Sequence, residues 1–270
     1  MIDDIVLNAK GDLVIYEANK LVRKKLFPMF KDIESTIVLS CLQGHMGSAW
    51  VDDLENPSVA QIIVGIFVYY AGNPKAKGAE ELLNNLPEHT LVIVNTKEWK
   101  SRVEALHKGQ LIKLKRYRFK KNKSTFDINN LNHFIKKLSK GYEIKKIDKN
   151  LAEKRSLNEL STYFISQFYS IDDFLKRGVG FCVLHSGKIV SAATSYSIYD
   201  DGIEIELATS SDHMRKGLAT AVSAKLILDS LNQNKYPNWD AANIESLKLA
   251  QKLGYVLSEE YDTYYINYKR

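Results

Sequence analysis

Residues 203–222, IEIELATSSDHMRKGLATAV, followed after a helix-length gap by residues 243–255, NIESLKLAQKLGY, decide the fold. Ile203, Ile205 and Leu207 alternate with Glu204 and Glu206, the period-two pattern of a strand. The strand runs into a short basic loop whose Gly217 opens the next helix. A helix start offers unpaired backbone N–H groups and the positive end of its dipole, so it attracts phosphate. Gly217 permits close backbone approach, Ala219 keeps the wall small, and Arg215 and Lys216 add positive charge at the rim.

Outward from that stretch, the pattern continues as a mixed α/β sheet flanked by helices. Strands are expected at 142–147, 179–185, 188–198, 202–209, 236–239 and 262–268, with a tight hairpin turn at Ser186-Gly187. Helices are expected at 150–156, 158–169, 217–232 and 244–252. Upstream, residues 10–34 carry helical spacing, and 36–42 (TIVLSCL), 48–53 and 60–71 read as strands. A helix at 77–86, a strand at 90–95, a helix at 97–107 and a strand at 111–119 come next, then a polar stretch at 120–130 and a short helix at 131–138. The expected organisation is an N-terminal α/β domain over 1–125, a linker with a short helix over 126–141, and a second domain over 142–270. Both halves order their elements alike. Lys77-Gly78 echoes Lys216-Gly217 and Asn95 echoes Asn243, which raises an internal, degenerate duplication as one reading.

The residues that match a known family are these. Met214-Arg215-Lys216-Gly217-Leu218-Ala219 fits a phosphate-loop pattern of Gln/Arg-x-x-Gly-x-Gly/Ala at its small positions, with Met214 departing from the first. Asn243, Leu249, Lys252 and Gly254 fit a second pattern, with Ser246 for Ala and Tyr255 for Phe. On these two motifs residues 142–270 resemble the GNAT superfamily of acetyl-coenzyme-A-dependent N-acetyltransferases. The resemblance implies acetyl-CoA as cosubstrate, held by residues 214–220 (Met214, Arg215, Lys216, Gly217, Leu218, Ala219, Thr220) with Asn243 and Ser246 near. It also implies that strand 203–209 splays from its neighbour, leaving Leu207, Ala208 and Thr209 to pair with the pantetheine arm. Where many relatives carry a tyrosine acting as general acid, this chain has Ala250, so either another donor serves, with Tyr255, Tyr196 and Ser246 as the candidates, or the thiolate leaves assisted by other dipoles, or catalysis is lost.

Glu204 and Glu206 share one face of that strand, where burial is costly unless they are paired or face a cleft. An amine acceptor in such a cleft would find a carboxylate to take its proton, and Glu206 is the expected base with Glu204 beside it. Direct attack on the thioester needs no covalent enzyme intermediate, and no His/Cys/Asp cluster has metal spacing.

In the first half, Gln43-Gly44-His45-Met46-Gly47-Ser48-Ala49-Trp50-Val51-Asp52-Asp53 places two glycines around His45, the mark of a bulge or a close approach of strands. This segment resembles the N-terminal part of the GNAT subgroup that includes a zwittermicin-resistance enzyme. It makes His45, Trp50 and Asp52 candidates for an acceptor pocket.

Composition bounds the alternatives. With 270 residues, 45% hydrophobic and 26% charged, the chain is an ordinary globular protein long enough for two cores. It has neither a signal-peptide pattern nor a membrane-length apolar run, and Cys41 and Cys182 sit in apolar surroundings, so a cytoplasmic protein with reduced thiols is expected. The net charge of +6 arises in residues 1–140, which hold 22 Lys/Arg against 15 Asp/Glu, and concentrates in Lys108–Lys123. That run fits either a charge-protected edge strand or an RNA-binding surface. Three functions stand at this point: acetylation of a small-molecule amine, acyl-CoA binding without catalysis, and RNA binding through the basic run.

Overall fold

The computed structural model describes residues 5–7 and 13–267. The chain divides into two compact units: the first runs to Lys115 and takes back the residues from Asp262 on, and the second is Arg116–Tyr261.

The first unit begins with strands β1 (Ile5–Leu7) and β2 (Leu13–Glu17) and two short helices, α1 (Lys20–Lys25) and α2 (Thr36–Leu42). Among the described residues the helical spacing read over 10–34 is therefore realised at α1 alone. TIVLSCL is a helix rather than a strand. Ser35 Oγ accepts from the Val38 N–H and caps it, and six of its seven residues are buried, so the run carries no periodicity that separates helix from strand. Strands β3 (Ser48–Val51), β4 (Val59–Val64) and β5 (Phe67–Gly72) form an antiparallel meander, the single strand expected at 60–71 being folded into a hairpin at Gly65. Gly44 and Gly47 both take positive φ, and a Cβ on Gly47 would collide with the Ile63 carbonyl, the close approach that the glycine spacing suggested. Helix α3 (Ala79–Asn84) leads to β6 (His89–Ile93), parallel to β5, and α4 (Lys97–Leu106) leads to β7 (Leu111–Phe119). Residues 264–267 pair antiparallel with β6. Val68, Tyr70, Leu82, Val92, Trp99 and Tyr264 form the middle of this unit's core.

The second unit starts within β7 and continues through α5 (Ile128–Lys136), β8 (Tyr142–Lys146), α6 (Lys149–Ala152), α7 (Arg155–Leu160) and α8 (Ile171–Arg177). The long helix expected at 158–169 is broken: Ser161 ends α7 in extended conformation and leads into a 3-10 turn at Thr162–Phe164. Strands β9 (Gly180–His185), β10 (Lys188–Tyr199) and β11 (Gly202–Thr209) come next, then α9 (Leu218–Asn232) and β12 (Tyr236–Asn238). The chain closes with β13 (Asp240–Ala241), α10 (Ile244–Leu253) and β14 (Leu257–Asn267). The sheet order is β12-β11-β10-β9-β8, antiparallel except for the parallel β11–β12 pair. Ser186 and Gly187, both at positive φ, make the expected hairpin turn. One face of the sheet packs on α9 and α10 through Ile205, Leu207, Ala224, Ala241 and Ala250. Both cysteines are buried, free and pushed up to about 12 by that burial, so neither is a nucleophile at neutral pH. Among the described residues no helix is long and apolar enough to cross a membrane.

Candidate functional site

The site begins where β12 leaves β11. Gly202, Ile203 and Glu204 pair with Tyr236, Pro237 and Asn238, and the pairing then stops. Two residues later Asp240 and Ala241 pair instead with Arg118 and Tyr117 of β7. The short segment 236–241 thus belongs to two neighbours in succession. Among the described residues no strand covers Ile205–Thr209 on that side. Backbone polar groups of Leu207, Ala208 and Thr209 are left available along the open arm, and each of these residues is half-buried.

Beyond Thr209 a 3-10 turn (Ser211–His213) leads into the basic loop. Arg215 (φ 61°) and Gly217 (φ 77°) both take the left-handed conformation, and such alternation turns successive N–H groups toward one concavity. The 15-residue helix α9 has no side chain capping its first turn, because its N-cap is Gly217 itself. A Cβ built on Gly217 would meet nothing within 4 Å, so the space above the helix start is open. Met214, Arg215 and Lys216 are exposed, and Lys216 Nζ is tied back to the Asp212 carbonyl at 2.9 Å. Leu218 and Thr220 are buried and anchor the helix, while Ala219 stays half-buried beside the opening. An uncapped, unobstructed helix N-terminus beside an unpaired strand arm fits a pyrophosphate joined to an amide-bearing chain.

The face of β11 away from α9 carries the carboxylates. Glu204 is 5% exposed and accepts from Asn238 Nδ2 at 2.6 Å, which fixes it at the point where the two strands part. Glu206 is half-buried and accepts from Ser161 Oγ at 2.8 Å. Burial raises the Glu206 carboxyl above the usual range, opposed by the Ser161 hydrogen bond and by the positive charge of Arg116. Ser161 also lines a cavity of about 560 Å³ with Asn158, Thr162, Phe164, Phe168 and Ser170. Glu153, Lys154 and Arg155 line the same cavity, and the Ser161 hydroxyl on its wall is the one that binds Glu206.

The remaining candidates have their places. Asn243 caps α10 by accepting from the Ser246 N–H at 2.8 Å, and Ser246 Oγ accepts from the Trp239 indole at 3.0 Å. Ala250 is fully buried beside Ala241 and Leu253. Tyr255 is buried with its hydroxyl donating to the Pro237 carbonyl, and burial holds it well above the usual phenol range; Tyr196 is buried as well. Within the first unit, His45 sits half-buried in the turn after α2. Trp50 donates to Ser48 Oγ at 3.1 Å and packs on that unit's core. Asp52 closes the loop before β4 by accepting from the N–H groups of Ser58 and Val59 and from the Ser58 hydroxyl. Within the basic run Lys113 and Lys115 share Asp262, Arg116 binds Asp240, and Arg118 binds Glu259, three carboxylates for four of its eight cations. Ser161 and Arg116 carry no sequence signal for the site, since they lie far from both motifs, and Asp240 and Tyr261 flank the second motif without belonging to its pattern.

The chain is similar to known proteins along most of its length. The family model described as GNAT acetyltransferase matches residues 27–264. A Bacillus subtilis (strain 168) protein named uncharacterized N-acetyltransferase YdfB is 27% identical over 265 residues, covering 93% of this chain and 98% of that one. The crystal structure of a GCN5-related N-acetyltransferase-like protein from Streptococcus suis 89/1591 superposes with a TM-score of 0.83 at 33% identity, covering 90% of this chain and 98% of the other. A GCN5-related N-acetyltransferase from Sphaerobacter thermophilus, at 10% identity and a TM-score of 0.54 over 96% of each chain, shares the fold.

Proposed function

This chain belongs to the GNAT acetyltransferase family, and on that premise we propose that it moves the acetyl group of acetyl-CoA to the amine of a small molecule. The observation that carries the reading is the junction of the open β11 arm with the uncapped start of α9 at left-handed Gly217. The N–H groups of residues 215–219 would hold the pyrophosphate, with Arg215 and Lys216 adding charge. Leu207, Ala208 and Thr209 would pair with the pantetheine amides, and Asn243 and Ser246 lie at the start of the helix that flanks them. When bound, acetyl-CoA supplies a thioester carbonyl open to attack by an unprotonated amine.

Glu206 takes the proton of the incoming amine. Its partial burial makes it a stronger base than an exposed carboxylate, and Ser161 orients one of its oxygens. Glu204, held to Asn238 at the last pair of the β11–β12 ladder, ties the strands together just before the arm opens and stands beside Glu206 as a second carboxylate. A backbone N–H of Leu207 or Ala208 would steady the developing oxyanion. The cavity beside Ser161 would receive the acceptor, a polar small-molecule amine, and the setting would be the cytoplasm.

Ala250 favours a competing reading, acyl-CoA binding without transfer, because a buried alanine offers no proton to a departing thiolate. Calorimetric titration with acetyl-CoA and coenzyme A, and then turnover against a panel of amines, separates the two. Saturable binding with turnover is expected. Binding without turnover on any amine favours the competing reading, and no binding removes both.

A further inference from the structure

At the β8 edge of the second unit's sheet, two histidines and a tyrosine meet beside the basic loop. Tyr142 opens β8 opposite His185 at the end of β9, and their rings stack at 4.6 Å. His213 closes the 3-10 turn that precedes Met214, and its ring centre lies 5.2 Å from that of His185, with the two planes tilted by 60°. The Tyr142 ring meets His213 edge-on at 5.7 Å. All three side chains are half-buried. None of them belongs to the acetyl-transfer machinery described above.

Hydrogen bonding fixes how the two imidazoles can be used. His185 Nδ1 stands 3.0 Å from the Gly141 carbonyl, which only accepts, so Nδ1 carries the proton and Nε2 of the neutral ring carries the lone pair. His213 Nδ1 lies 3.0 Å from the Tyr142 hydroxyl, whose oxygen accepts in the same way when Nδ1 holds the proton. Neither Nε2 has a hydrogen-bond partner among the described residues. A histidine braced through one nitrogen on an oxygen, with the other nitrogen bare, is prepared to ligate a metal. Two imidazoles that share one tetrahedral ion through nitrogens at ~2.1 Å have ring centres about 5 Å apart, which is the spacing of this pair.

We infer that Nε2 of His185 and Nε2 of His213 bind one divalent transition-metal ion of the zinc or nickel class, tying the start of the basic loop to the sheet edge. Imidazole nitrogens select such ions over magnesium and calcium, which take oxygen ligands. Among the described residues no group of three or more His, Cys, Asp or Glu gathers for a metal, so water fills the remaining positions. Arg215 and Lys216 are exposed, and solvent screens their repulsion of a cation. The two ligands come from elements remote in sequence, so an ion between them restrains the turn before Gly217 without covering the helix start.

The test is calorimetric titration of tag-free protein with zinc and with nickel, and with magnesium as the hard-cation control. Saturable binding of one ion per chain is expected for zinc and nickel and none for magnesium. His185→Gln and His213→Gln should each abolish it, whereas His89→Gln and His133→Gln, at exposed histidines elsewhere, should leave it unchanged. Tyr142→Phe keeps the ring stack but removes the oxygen behind His213, and should weaken zinc binding roughly tenfold. Circular dichroism of each metal-free variant checks that the fold is kept. No zinc binding, or zinc binding that survives both His185→Gln and His213→Gln, would overturn the inference, as would magnesium binding that those variants remove. The titration contains neither coenzyme nor amine, so its outcome is independent of the acetyl transfer proposed above.

Discussion

Two strand-to-helix junctions, one in each unit, share a Lys-Gly pair and differ in the structure around it. In the first unit β5 pairs with β6 over Phe67–Tyr69, and the strand then continues without that partner. Trp99 fills the space: its ring stacks on Tyr70 at 5.2 Å and its indole donates to the Gly72 carbonyl at 3.1 Å. In the second unit the corresponding arm of β11 has no such plug. Gly78 keeps an ordinary negative φ of −86° before a helix of six residues, whereas Gly217 is left-handed before a helix of fifteen. The far end of the short helix is closed by a network in which Gln61 Nε2 shares its two hydrogens among the Leu82 and Asn85 carbonyls and the Tyr70 hydroxyl, all within 3.0 Å. One junction is filled by core side chains and the other is open.

The asparagine echo divides in the same way. Asn243 caps its helix, while Asn95 donates to the Asp32 carbonyl and leaves capping to Thr96. Similar residues at similar places in the element order therefore took different duties, and the difference lies in neighbours rather than in the motif.

The sharpest test of the contrast is Trp99→Ala. Removing a fully buried indole should cost about 3–5 kcal/mol of stability in denaturant unfolding and leave acetyl-CoA affinity unchanged. A gain of a second coenzyme site would break the comparison. Glu206→Gln should lower kcat by roughly 100- to 1,000-fold with coenzyme affinity intact, measured by steady-state kinetics and calorimetry. Equal activity at neutral pH would take Glu206 out of the mechanism. Gly217→Glu should weaken coenzyme binding by roughly 100-fold, the loss of one or two hydrogen bonds to a charged group, whereas Lys77→Glu at the other junction should change nothing. Equal loss from both would mean that charge, rather than the open helix start, controls binding.

The smallest effect is on acid stability. Lys113 and Lys115 hold the Asp262 carboxyl down at about 2, so it is depressed in the folded state. Its contribution is present above the unfolded carboxylate value, near pH ~4, and is lost as pH falls through about 2. Asp262→Asn should make the unfolding free energy less dependent on pH across that interval, as tracked by denaturant unfolding at stepped pH. An unchanged dependence would mean that these surface ion pairs contribute little.

Much of the second unit was legible because its strands alternate cleanly and its turns are marked. β11 spans the residues expected of it, and the Ser186-Gly187 hairpin and α9 fall where the spacing put them. TIVLSCL was not legible, since a run buried on every side looks the same as strand or helix. The pairing of 264–267 with β6 was not legible either, because strand order depends on contacts remote in sequence.

What the sequence determined by itself was the mixed α/β class, a glycine opening a long helix at residue 217, and two carboxylates on one face of a strand. Each arises from local sterics or period-two alternation, which act within a few residues. The tertiary structure alone decided that segment 236–241 changes partners and opens an arm on β11, that Trp99 fills the end of β5, and that Ser161 binds Glu206. Those outcomes are set by packing and electrostatics between residues tens of positions apart, and no local preference encodes them.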